Sequence, residues 1–313
     1  MNILLRKISP AILLIVSCTL IISSCSQNSS DKNNQKEKFP LENDSINIQE
    51  EIKEPEYIIT YTLDSIVNEQ QIDSFNTGYS NEERKQIFAI NRLDPTRLKI
   101  GLNLLIPDTL FNDFNKYSPF PKELALLDSI PKAVLISQRI QGFALYDKGR
   151  LVKWGPVSSG KQSTPTPNGL HYGNYKAKKK ISTVNPDWLL PYYFNFMNFE
   201  GVGVHQYALP GYPASHACVR LRLEDSQFIY DWANQWELDK KGQKIEKNGT
   251  PFMVFGVYDY KEPVPWQNLG EDAESNRLTK SEIEILEQYS RDFLKDQKNF
   301  KDPEEQKEFL VLN

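Results

Sequence analysis

Ala133-Val134-Leu135-Ile136, Phe143-Ala144-Leu145-Tyr146 and Leu151-Val152-Lys153-Trp154, the last two joined by Asp147-Lys148-Gly149, decide the fold class. Short apolar runs rich in β-branched and aromatic residues, broken by a glycine-containing turn, predict antiparallel hairpins. Gly169, Gly173, Gly201 and Gly203 carry the same punctuation on toward Tyr258. One helical pattern interrupts it: after the acidic pair Glu224 and Asp225, the residues Phe228, Ile229, Trp232 and Trp236 recur on one face. The expectation is a mainly β fold, with a β domain over residues 131–260 and one covering helix whose apolar face is core.

Outward from that region, the 313 residues are 39% apolar and 25% charged, enough for one or two domains with real cores. Lysines and arginines number 37 against 41 aspartates and glutamates, and the net charge of -4 offers no footprint for a phosphate backbone, so nucleic acid is not an expected partner. Three cysteines cannot build a disulfide framework, and three histidines leave little for a structural zinc site. No metal or cofactor is expected.

Residues 1–24 read as an export signal: Arg6 and Lys7 precede an apolar run from Ala11 to Ile22 that is too short to span a bilayer. Its end, Ile22-Ser23-Ser24-Cys25, resembles a bacterial lipobox, which implies cleavage before Cys25 and lipidation of that residue. Ile15-Val16-Ser17-Cys18 fits the pattern less well, because cutting there would leave apolar residues on the product. Ser26 after the cysteine implies the outer rather than the inner membrane, with the protein on its periplasmic face. Residues 25–55, rich in Asn, Ser, Asp, Lys and Glu, bury too little apolar surface to offset ordering and read as a tether. One thiol then remains, Cys218, in an oxidising compartment where an unpaired cysteine needs a reason.

Residues 56–109 predict a small α+β module. It opens on Tyr57-Ile58-Ile59-Thr60-Tyr61, passes through polar helical stretches to Ile87-Phe88-Ala89-Ile90-Asn91-Arg92-Leu93, and closes on Leu98-Lys99-Ile100-Gly101-Leu102-Asn103-Leu104-Leu105-Ile106-Pro107. Asn91 suits a helix C-terminus, Gly101 a turn at positive φ, and Pro107 the end of a strand. The closing half resembles the LysM repeat, which implies glycan binding. The opening half, Thr62-Leu63-Asp64-Ser65-Ile66, lacks that family's glycine and aspartate-threonine signature, and a module that only positions its neighbour stays open. Residues 110–130 are a connector.

The chemistry gathers in four segments: Ser158-Ser159-Gly160-Lys161, Thr164-Pro165-Thr166-Pro167-Asn168-Gly169, Gly201-Val202-Gly203-Val204-His205 and Ser215-His216-Ala217-Cys218-Val219-Arg220. A thiol attacks as its thiolate, and a neighbouring imidazole both lowers its pKa and takes its proton. His216, two residues before Cys218, would face away from it on an extended segment, whereas Arg220, two residues after, would share its face and could hold a substrate carboxylate or steady the site. Backbone N–H groups of Ala217 and Cys218 are candidates for an oxyanion hole. His171 stands apart and reads as an ordinary core or surface histidine.

In that order the four segments resemble the YkuD-type L,D-transpeptidase domain, whose fold is a β-sandwich. The resemblance implies Cys218 as nucleophile, His205 as general base with an orienting acceptor on its other ring nitrogen, and His216 in a supporting catalytic role. Ser215, Gln206, Tyr207 and Arg220 are the expected substrate-binding residues. Gln206 replaces the glycine that follows the histidine in the family, and the loop from Tyr207 to Pro213 is short, which reshapes the pocket mouth. Ala217 stands where the family has glycine, so a positive φ there would cost ~1 kcal/mol or more.

The implied partner is the peptidoglycan stem peptide, with glycan as a second. The implied reaction is thioester formation at Cys218, release of D-Ala, and transfer to an acceptor amine. Water in place of the amine would make a carboxypeptidase or endopeptidase. A non-catalytic wall-binding lipoprotein with an inert buried thiol is the reading from a different class.

Residues 261–313 form the tail. Thr279-Lys280-Ser281-Glu282 is a capping-box pattern before Ile283, Leu286, Tyr289, Phe293 and Leu294, predicting an amphipathic helix packed back on the domain.

Overall fold

The computed structural model describes residues 57–300. The signal segment 1–24, Cys25 and its lipidation, the tether and the terminal Phe309-Leu310-Val311-Leu312 lie outside the described residues.

The first module runs strand, helix, helix, strand. β1 (Tyr61–Ser65) pairs antiparallel with β2 (Asn103–Pro107), Tyr61 opposite Pro107. Between them, α1 (Glu69–Gly78) starts where the Asn68 side chain accepts from Gln71 N–H, and α2 (Asn81–Ile90) starts at a capping box of Ser80 and Glu83. Phe75, Ile87, Phe88, Leu104 and Ile106 close a small core of their own. Asn91 ends α2, and its buried amide ties helix to strand: Nδ2 donates to Ile87 O and Leu105 O, and Oδ1 accepts from Leu105 N–H, all at 2.8 Å. Gly101 takes φ +88 in the turn before β2.

The larger part is a sandwich of two sheets. One has the order β5-β4-β3-β13-β6, built from β3 (Ala133–Ser137), β4 (Gly142–Asp147), β5 (Arg150–Pro156), β6 (Gly169–Tyr172) and β13 (Pro251–Phe255). The other has the order β10-β9-β8-β7, built from β7 (Lys176–Ile181), β8 (Leu189–Met197), β9 (Val202–Gln206) and β10 (Val219–Leu221). A short ribbon, β11 (Glu237–Leu238) with β12 (Ile245–Lys247), lies outside both. The β4–β5 hairpin turns at Lys148 and Gly149, both at positive φ, the hand that matches strand twist.

Side-chain alternation assigns the two faces of the larger sheet. Val134, Ile136, Phe143, Leu145, Phe252 and Val254 point toward Phe194, Phe196, Val202, Val204, Val219 and Leu221 of the smaller sheet. The residues in between, Ala133, Leu135, Ala144, Tyr146, Met253 and Phe255, face the connector residues Phe120, Leu124, Leu127 and Ile130 and the tail helix α4 (Lys280–Lys295). A sheet buried on both faces explains why these strands are nearly continuous apolar runs.

One detail differs from expectation. α3 (Leu223–Trp232) buries Ile229 but leaves Phe228 38% exposed, and Trp236 falls beyond its end. The chain leaves the helix at Ala233 because the following backbone is used elsewhere: Trp236 N–H donates to Gly173 O at 2.9 Å and Asn234 O accepts from Thr250 N–H at 2.9 Å. The sandwich also has a second cover. The Thr279 and Glu282 capping box forms, Leu286, Phe293 and Leu294 are buried, and Arg139 clamps Glu282 with two contacts of 2.8 Å, so the tail completes the core.

Leu286→Ala, on a helix outside the β domain delimited by sequence, is therefore expected to cost about 2–5 kcal/mol, as for a fully buried core leucine. A urea-denaturation midpoint close to that of the unsubstituted chain would contradict the helix's place in the core.

Candidate active site

Strand β10 lies parallel to β9, with Val219 opposite Val204 and Arg220 opposite His205. That register carries Cys218, which immediately precedes β10, to the flank of Gly203. Gly203 has no room for a side chain, since a Cβ there would lie 2.5 Å from Phe194 O. The glycine-punctuated stretch before His205 is thus a close-packing requirement of the β8–β9 pair.

The Ser158–Gly169 segments wrap the turn that bears the thiol. Ser215 N–H donates to Ser159 O (3.0 Å), Lys161 N–H to Ser215 O (2.9 Å) and Ala217 N–H to Thr164 O (3.1 Å). Thr166 Oγ1 donates to Ala217 O (2.7 Å) and accepts from Gly160 N–H (2.9 Å). A Cβ on Gly160 would collide with Thr164 O. Ala217 itself adopts φ +73, the backbone region that favours glycine. Its N–H is committed to Thr164 O, so the expectation that Ala217 helps form an oxyanion hole is corrected; of the two amides considered, the candidate left is that of Cys218.

Cys218, His205, Ser215, His216, Ala217, Arg220 and Tyr207 line one cleft of about 90 Å3. The Cys218 thiol donates to Gly201 O at 3.8 Å rather than to His205. Burial pushes this thiol above its ordinary value, against the opposing pull of Gly203 N–H and the cations Lys180 and Arg220. His205 is buried as well, and burial brings its pKa down to about 4, with Gln206 O opposing and Arg220 reinforcing the shift. Its Nδ1 lies 2.9 Å from Gln206 O. A carbonyl can only accept, so Nδ1 carries the proton and the Nε2 lone pair is the base. The orienting acceptor expected for His205 is therefore this backbone oxygen. Both shifts favour a neutral thiol beside a neutral imidazole, not the preformed thiolate anticipated from the sequence.

The remaining expected residues divide. An extended segment would have turned His216 away from Cys218, but β10 begins only at Val219 and the two share the cleft. Lys161 Nζ donates to His216 Nε2 at 3.1 Å, and partial burial together with Lys161 and Arg220 lowers the His216 pKa, keeping it neutral. Arg220 donates to Ala214 O (2.8 Å) and Ala208 O (3.4 Å), and its guanidinium lies 4.8 Å from the centre of the Tyr207 ring. Gln206 does not line the cleft: it alternates with His205 and Tyr207 along the chain, and only its carbonyl takes part. His171 stands on β6 against Pro167 O and Phe196, away from the cleft, as expected. Lys180, Trp188, Tyr193 and Glu200 also line the cleft. They come from the β7–β8 hairpin and the β8–β9 turn, and no motif marks them. Among the described residues no three His, Cys, Asp or Glu side chains group to hold a metal ion.

Residues 131–270 match the YkuD family, the L,D-transpeptidase catalytic domain. Among solved structures, an L,D-transpeptidase from Stackebrandtia nassauensis is 24% identical over 41% of this chain and 57% of its own, with a TM-score of 0.33. One from Mycobacterium smegmatis is 20% identical over 40% and 59%, with a TM-score of 0.31. L,D-transpeptidase 1 of Mycobacterium tuberculosis is 21% identical over 40% and 63%, with a TM-score of 0.30. The chain thus spans less than two thirds of these relatives. No curated protein matches it.

With the thiol raised and the imidazole neutral, iodoacetamide alkylation of Cys218 is expected to keep accelerating past the ordinary thiol value of about pH 8.5. A rate plateau near about pH 7 would instead signal a standing thiolate–imidazolium pair. Ala217→Gly is expected to stabilise the chain by up to about 1 kcal/mol in urea, since relief of the left-handed backbone outweighs the flexibility glycine adds to the unfolded chain.

Proposed function

We propose that the chain is a peptidoglycan L,D-transpeptidase working through a Cys218 thioester. The reading rests chiefly on one observation: Cys218 and His205 line the same cleft, and they do so within the segment that matches the L,D-transpeptidase catalytic domain. Cys218 Sγ attacks the carbonyl of the diamino-acid residue that precedes a terminal D-Ala. As the S–C bond forms, His205 Nε2 takes the thiol proton; because the free pair is neutral, proton transfer accompanies attack. The developing oxyanion meets Cys218 N–H. His205 returns the proton to the leaving amine, the C–N bond breaks and D-Ala departs. An acceptor amine from a second stem then attacks the thioester, forms the cross-link and restores the thiol. Water in its place yields a shortened stem and makes the enzyme a carboxypeptidase.

Arg220 and Lys180 supply positive charge to the cleft for the carboxylates of the stem, and Trp188 and Tyr207 supply aromatic wall. The rest of the reading follows the sequence. Cys25 carries a lipid that anchors the chain at the periplasmic face of the outer membrane, residues 25–55 span the gap to the wall, and the 56–109 module is a LysM-like element that contacts glycan.

A second reading, a non-catalytic wall-binding lipoprotein, is favoured by the raised Cys218 thiol and by the engagement of Ala217 N–H with Thr164 O. Intact-protein mass spectrometry of the full-length chain in detergent with disaccharide-tetrapeptide separates the two. The enzyme gives an acyl adduct or D-Ala release that Cys218→Ala abolishes, with dimer marking transfer and tripeptide marking hydrolysis. Absence of both products, with sacculi still bound, supports the binder.

A further inference from the structure

The turn that ends α2, Asn91-Arg92-Leu93-Asp94, is built into the catalytic part of the molecule. Arg92 is 2% exposed, donates from Nε to Ile140 O at 3.1 Å and from Nη1 to Ile90 O, and lies between the rings of Trp154 and Trp266, 5.7 and 4.6 Å from their centres. Its burial lowers its pKa to about 9, with the Tyr61 phenol the opposing influence. Two residues on, Asp94 grips the cleft's mouth loop. Asp94 N–H donates to Leu209 O at 2.9 Å, and Leu209 N–H donates to Asp94 Oδ2 at 2.6 Å. Leu93 bridges Pro210, and Leu93 lies so close to Gly211, at φ +87, that a Cβ there would meet it at 2.9 Å.

The same loop carries the cleft wall on its other side. Tyr207 N–H donates to Leu221 O at 3.1 Å, and the carbonyls of Ala208 and Ala214 hold the Arg220 guanidinium against the Tyr207 ring. Ala208 is the residue immediately before Leu209. Asp94 belongs to none of the hydrophobic clusters of the fold. Its two bonds to Leu209 fix the height of the loop, and the loop fixes Arg220.

We infer that Asp94 is a positioning residue for the catalytic cleft: it acts through Leu209 on the Ala208–Ala214 cradle of Arg220, so the 56–109 module buttresses the cleft from behind its mouth loop without lining it. The inference rests on the transpeptidase reading for what Arg220 binds. The carboxylate-to-amide bond is the charge-assisted kind, and its loss leaves Leu209 N–H without its acceptor. The thiol and His205 contact none of these groups through a hydrogen bond and feel Arg220 only through its charge, which stays in the cleft, so the chemical step is the lesser part of what Asp94 governs.

The test compares the full-length chain with Asp94→Ala and Asp94→Asn. The asparagine side-chain oxygen can still accept from Leu209 N–H, so it is the rescuing variant. In Asp94→Ala, hydrogen exchange across residues 207–214 is expected to speed up by about tenfold and half-saturation by disaccharide-tetrapeptide to rise by about tenfold. Maximal acylation rate and iodoacetamide alkylation of Cys218 should stay within about twofold, and Asp94→Asn should restore both affected readouts. Unchanged exchange, equal behaviour of the two variants, or alkylation falling together with stability would overturn the inference. If the unsubstituted chain forms no acyl adduct, the transpeptidase reading fails; peptide affinity on a Cys218→Ala background and the exchange rates then still decide whether Asp94 sets the cleft.

Discussion

The parallel register of β10 on β9 is the constraint on which the site depends. Cys218 and His205 are separated by a loop in sequence, and only the pairing of Val219 with Val204 and of Arg220 with His205 brings them to one cleft. The register is itself dictated by the core. Val202, Val204, Val219 and Leu221 all point into the space between the sheets, and a slip of β10 by one residue would turn Val219 and Leu221 outward. The geometry of the cleft and the hydrophobic packing are therefore the same arrangement viewed from two faces of one sheet.

Burial then shapes the electrostatics. A site pressed against a sandwich core disfavours charge on both the thiol and the imidazole, although Lys180 and Arg220 pull the thiol the other way. The consequence is that both groups are pushed toward their neutral forms, with a backbone carbonyl holding the imidazole in the tautomer whose Nε2 lone pair is free to accept a proton. His216, held by Lys161, is kept neutral beside them.

What is legible in the sequence is what local physics decides. Alternation and a glycine turn specify the β4–β5 hairpin, the Thr279 and Glu282 pair specifies the start of α4, and Gly101 specifies its turn. Asn91 reads as a helix end and is one, but its bonds to Leu105 come from tertiary neighbours and have no local signature. Trp236 fits a helical face and lies outside the helix because a sheet edge captures its backbone. The glycine-to-alanine departure at 217 is visible in the residues, and the positive φ that makes it matter is supplied by the structure. The loss of the Ala217 amide to Thr164 O is not visible there, since it depends on two segments separated in the chain by the strands β6 to β9. Lys180 and Trp188 stay hidden for the same reason.

The position of β13 has a consequence for how the molecule is made. It is an interior strand, flanked by β3 and β6, and yet it is the last strand in the chain among the described residues. Until residues 251–255 are available, β3 has an open edge and β6 has no partner, and until α4 follows, the outer face of the larger sheet is uncovered. Assembly from the N-terminus thus stalls with an apolar edge exposed, and closing it requires a contact between distant parts of the chain, the slow kind. A chain of this topology is best kept unfolded until its final third has arrived, because a prematurely collapsed β3–β5 hairpin stack is the form that self-associates.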